Sequence, residues 1–223
     1  MRVFFLCLSI CTGAFSSGPL AASVCDDAIN VAAQETGVPQ TILQAVALAE
    51  TGRQNSGQMK PWPWAINVSG RSHWFETEAA ANDFLRTSFP SGRPSVDIGC
   101  FQLNARWHGA AFPSLEAMLS PTENAFYAAS FLSKLFEETG DWRSAVGKYH
   151  SRQSDLAAGY IAKVEALYQE HLAAGPASAS EDVKSRPDIN VPKVSRPQFS
   201  LRGASGPILT TYNAGRFTLG ASK

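Results

Sequence analysis

The chain has 223 residues, 44% hydrophobic and 17% charged, with 19 Lys/Arg balanced by 19 Asp/Glu. That length accommodates one core-forming domain with appendages, and balanced charge lacks the basic excess of a nucleic-acid binder. The apolar run from Val3 to Cys11 is too short to span a bilayer.

Arg2, the apolar stretch Val3–Phe15 and the small residues Ser16–Ala22 read as a signal peptide over residues 1–22, cut after Ala22 or one residue later. Export to the periplasm is the expectation. Cleavage removes Cys7 and Cys11 and leaves Cys25 and Cys100 as a candidate disulfide; two unlinked buried thiols are the alternative. The bridge is worth about 4 kcal/mol on the chain-entropy account. His73, His108, His150 and His171 are scattered, with no metal-ligand spacing, so neither a metal nor a cofactor is expected.

Residues 25–174 read as one mainly helical domain with a short β-hairpin. Helices are expected over Asp26–Glu35, Gln40–Glu50, Thr77–Phe89, Ser114–Leu119, Pro121–Thr139, Trp142–His150 and Ser154–Ala173. Trp64–Val68 and His73–Phe75 flank Ser69-Gly70 as a hairpin, whereas Ser95–Asn104 mixes turn and strand character without resolving into either. From residue 175 to 223 the chain turns Pro/Ser/Gly-rich and loses hydrophobic periodicity, reading as a flexible tail. The tail carries seven basic and three acidic residues, against 11 basic and 16 acidic in the domain. Such a tail is a solvated terminus or a docking arm, with Pro207–Gly220 its most apolar stretch.

Glu50 is the residue whose place needs explaining. It follows Leu43, Val46 and Ala47 at helical spacing, which sets a carboxyl on an apolar face. Desolvation there raises its pKa toward the value of about 6 to 7 that suits a general acid at neutral pH; a paired, structural Glu is the plain alternative.

Three blocks in order extend this reading: Glu50-Thr51-Gly52, then Gly99-Cys100-Phe101-Gln102-Leu103-Asn104, then Ala145-Val146-Gly147-Lys148-Tyr149-His150. The order resembles the lytic transglycosylases of the soluble lytic murein type, over roughly Ala32 to Leu167. Val96 to Asn104 is similar to the branch linked to flagellar and secretion-system assembly. The resemblance implies a lysozyme-like domain acting on peptidoglycan glycan strands. Glu50 would be the acid/base, Gln102 a substrate-side amide and Gly99 a point of close backbone approach. Tyr149 would orient the carboxyl, and Thr51 would keep the hydroxyl of the family's usual Ser. Asn104, Asn67 and His108 are weaker cleft candidates. His150-Ser151-Arg152 departs from the family's Asn-Ala-Gly. Tyr212-Asn213-Ala214-Gly215 matches that block literally but sits in the tail, so Tyr149 is preferred.

The resemblance implies one catalytic carboxyl and a 1,6-anhydro product. The rival enzymatic reading is a hydrolytic muramidase in which Asp97 holds a water, against a turn or capping role for Asp97. A third reading is a non-catalytic glycan-binding scaffold whose tail recruits a flagellar rod or secretion-system protein. Trp62, Trp64, Trp74 and Trp107 suit sugar stacking, with core packing expected for at least two. Trp142 reads as structural, and Glu123, Glu137 and Glu138 as helix-surface charges.

Overall fold

A computed structural model describes residues 20–55, 57–90 and 94–174. The proposed leader up to residue 19 and the tail from 175 onward, with its Tyr212–Gly215 motif, lie outside the described residues. Within them the chain is mainly α-helical with small antiparallel sheets.

Helix α1 (Leu20–Thr36) begins before the expected Asp26, because Leu20-Ala21-Ala22 are good helix formers, and it runs through the anticipated cleavage point. Helix α2 (Gln40–Thr51) follows Pro39, which occupies the N-cap. Two hairpins come next. The first, β1 (Gly52–Asn55) with β2 (Gln58–Pro61), was not evident in the sequence, since its mostly polar, partly exposed residues carry no apolar alternation. The second, β3 (Ala65–Val68) with β4 (Arg71–Trp74), turns at Ser69-Gly70, both at positive φ (51° and 83°). That pair of dihedrals matches the right-handed strand twist of a tight hairpin.

Helix α3 (Glu78–Ser88) is capped by Thr77, whose side chain accepts from Ala80 N. The Ser95–Asn104 stretch, which the sequence assigns to neither turn nor strand, contains β5 (Val96–Ile98) and β6 (Leu103–Asn104), which complete an antiparallel sheet of order β4-β3-β5-β6. A short α4 (Ala105–His108), a 3-10 turn and α5 (Leu115–Leu119) lead into α6 (Pro121–Thr139), which starts on a proline and stops at Gly140 in the left-handed region. Asp141 caps α7 (Trp142–His150) through Ser144 N, and α8 (Ser154–Ala174) closes the domain.

Helix α6 packs against α1 and α7, and α8 against α2 and α7. Ile29, Ile42, Leu43, Phe101, Met118, Leu132 and Leu135 are almost fully buried in one continuous core. The β1–β2 hairpin continues from the end of α2 and packs back against it, and the turn between β5 and β6 meets the last residue of α2 through the Thr51 bond to Cys100 O. Cys25 and Cys100 are bonded, with Cα atoms 6.0 Å apart, and the bridge anchors α1 to the turn between β5 and β6.

Candidate active site

Glu50 occupies the last turn of α2, behind fully buried Leu43, Val46 and Ala47; part of the residue meets the surface, but its carboxyl is enclosed. Its Oε1 accepts a 2.6 Å hydrogen bond from the Tyr160 hydroxyl on α8. Lys163, one turn further along α8, donates to the carbonyl of Ala49 and brings its positive charge toward the carboxyl. Desolvation dominates and pushes Glu50 from 4.5 up to about 7. The Tyr160 bond and Lys163 pull the other way, and the charge of Asp97 adds a smaller upward push. At neutral pH such a group is about half protonated, able to give a proton and take one back.

The turn Gly99–Gln102 forms the second part of the site. Thr51 donates to Cys100 O (2.9 Å) and accepts from Trp62 N (3.2 Å). Tyr149 donates to Phe101 O (2.8 Å). Buried Asn124, on α6, accepts from Phe101 N and donates to Ile98 O and Met118 O, each at 2.9 Å. Gln102 sits at φ 46°, a strained backbone for a residue with a side chain, and its Nε2 donates to Ala65 O and Gly99 O, both at 3.1 Å. The residues from α2, α6 and α7, together with the disulfide, thus pin one short turn beside the carboxyl.

Several expected roles change. Tyr149 stands close enough for the Glu50 charge to help raise its phenol, after burial, well above the usual tyrosine range; its hydroxyl nevertheless binds Phe101 O, and the group that orients Glu50 is Tyr160. Thr51 is 1% exposed, so it braces the turn and does not face a substrate. Gly99, at φ 79°, is needed for a close approach, but the approaching group is Asn124: a Cβ there would lie 2.8 Å from Asn124 Nδ2. Asn104 caps α4 through Arg106 N and donates to Asp97 Oδ1 (2.8 Å). Asn67 is absorbed in the β3–β4 turn, where it accepts from Gly70 N. His108 pairs with the Tyr127 hydroxyl (3.0 Å), and burial lowers its pKa. Half-buried Gln102 enters its two internal side-chain bonds through Nε2, which leaves its amide oxygen outside them.

The tryptophans divide in two groups. Trp62, Trp64 and Trp142 are buried, whereas Trp74 and Trp107 are 40% and 72% exposed. Arg53 lies over the Trp62 ring (4.4 Å) and pairs with Glu76. Asp97, half-buried on β5, is raised by burial and lowered by its Asn104 bond. Glu138 pairs with Lys148 and Arg152 at the surface, while burial raises Glu123.

Tyr160, Lys163 and Asn124 were not singled out from the sequence, and His150 stood out there only as a departure from the third block. Tyr160 shares an apolar stripe with Val164 and Tyr168, which disguises it as core. Asn124 left a better signal, a polar residue on the helical face of Ala128 and Phe131. Among the described residues no cluster of His, Cys, Asp or Glu is arranged to hold a metal ion, and no helix is long and apolar enough to cross a membrane. The chain matches no family model, no curated protein and no solved structure.

Proposed function

We propose that this protein is a lytic transglycosylase that cuts the β-1,4 bond between MurNAc and GlcNAc in peptidoglycan, after export to the periplasm. The observation that carries the reading is the Glu50 carboxyl, held near a pKa of 7 by burial and gripped by the Tyr160 phenol. Protonated Glu50 gives its proton to the bridging oxygen, and the C1–O bond breaks. The C6 hydroxyl of the same MurNAc then closes on C1, and its proton returns to Glu50. The sugar ends as a 1,6-anhydro ring, and no water is consumed. Between the two transfers Glu50 is ionised, and there the Tyr160 hydroxyl and the Lys163 charge stabilise it. The partly free amide of Gln102 is the polar group best placed to meet the glycan.

A hydrolytic variant has one observation in its favour: Asp97 is near enough for its charge to raise Glu50. Its carboxyl, however, is tied to Asn104, itself the cap of α4. The role of the tail as an arm for a flagellar rod or secretion-system protein belongs to the same proposal and rests on composition alone. The test is release of soluble glycan from purified peptidoglycan by the wild type and by Glu50→Gln. Release by the wild type and its loss in the variant is the expected outcome; equal release by both removes Glu50 from the chemistry.

A further inference from the structure

His150, the last residue of α7, departs from the pattern of the third block. It lies flat on Tyr160: the ring centroids are 4.5 Å apart and the planes differ by 4°. The close packing of α7 on α8 brings this about. Gly147, one turn before His150, lets Ile161 come so near that a Cβ would stand 2.8 Å from Ile161 Cδ1. Ser151–Gln153 then reverse the chain into α8. Tyr160, the neighbour of Ile161, is carried under the imidazole as a result. Tyr160 is 7% exposed, while His150 is exposed and so forms the outer cover of that ring.

We propose that His150 is a positioning residue for the reaction, which fixes the plane of the Tyr160 ring and thereby aims its hydroxyl at Oε1 of Glu50. This rests on the reading of Glu50 as the acid/base. The phenol oxygen lies on the axis about which the ring turns, so its 2.6 Å distance to the carboxyl does not depend on the ring plane. The O–H bond favours that plane, however, and points at Oε1 only for a narrow range of ring angles. A flat partner on one face restricts that range before any substrate arrives, so the bond to ionised Glu50 is in place when the proton leaves. The function lies in the flat face of the ring and not in its charge. The other titratable or charged groups acting on this pair are Tyr149 from α7, Lys163 from α8 and Asp97 from β5. All remain when His150 is replaced.

Three replacements separate the ring from the imidazole chemistry: His150→Ala, His150→Gln and His150→Phe. The readouts are kcat and KM on purified peptidoglycan and the titration midpoint of Glu50, followed by NMR in protein labelled at the Glu carboxyl carbon. Ala and Gln should lower kcat about tenfold and leave KM within about twofold. They should also move the Glu50 midpoint upward, because a bond to the ionised form has weakened. Phe should restore both values. A His150→Ala protein equal to the wild type in kcat and midpoint overturns the proposal, as does a Phe variant as impaired as Ala. Equal glycan release by wild type and Glu50→Gln would overturn the reading of the reaction instead, and the NMR titration would still decide the stack.

Discussion

The hydroxyl of Tyr160 bonds to Oε1 of Glu50 at 2.6 Å across a sequence separation of 110 residues. The contact joins the end of α2 to the second turn of α8, and this hydrogen bond favours the ionised carboxyl against the desolvation around it.

Tyr160→Phe removes that bond and leaves the ring. The carboxylate loses a partner, so the Glu50 midpoint rises above about 7. The alkaline limb of the pH–rate profile should move up with it, and kcat should fall about tenfold. Rates measured across the range from acid to alkaline pH check both.

Burial of Glu50 also carries a stability cost with a definite sign. Below pH 4.5 the carboxyl is neutral whether the chain is folded or not, and folding is not penalised. Between 4.5 and about 7 the unfolded chain ionises first, so stability falls as pH rises and levels off above the folded value. The full cost is about 3 kcal/mol. Glu50→Gln lacks it, so its stability relative to the wild type should grow by about that amount between pH 4 and pH 8. Urea unfolding of both proteins at the two pH values is the measurement.

The helical frame was legible because periodic apolar residues and caps mark it: α6 and α7 have their expected limits, and Thr77, Ser114 and Asp141 cap where the chain predicts starts. Glu50 was legible for the same reason, as a charge on an apolar stripe. The rest of the site was hidden. The Gly99–Gln102 turn is shaped by groups remote in sequence, and local patterning does not show that Asn124, Thr51 and Tyr149 all converge on it. Motif order pointed to Tyr149 as the partner of Glu50, yet Tyr160 occupies that place because α8 lies against α2, a tertiary fact.

Asn124→Ala should be strongly destabilising, since it leaves Phe101 N, Ile98 O and Met118 O without their side-chain partner. A loss of about 3 kcal/mol or more is expected. The loss of activity should exceed what the unfolded fraction explains, because the turn beside Glu50 loses its brace. Denaturant midpoints and rates at low temperature distinguish the two effects.

The Cys25–Cys100 bridge closes a sequence separation of 75 residues on a buried element of the same turn. Replacing both cysteines by Ala should cost about 4 kcal/mol, read as a lower urea midpoint that reductant no longer changes.

Asp97→Asn separates the two enzymatic readings. A transglycosylase should keep its product chemistry, with a change in rate and a slightly lower Glu50 midpoint as the repelling charge disappears. A muramidase should lose the water it needs and most of its activity. Product analysis of the variant decides.

The most direct test of the central claim, that one buried carboxyl both gives and recovers the proton, is the mass of the new sugar end released from purified peptidoglycan. MurNAc ends one water lighter than the reducing form, absent from Glu50→Gln digests, are predicted. Reducing ends in the wild-type digest would contradict the account.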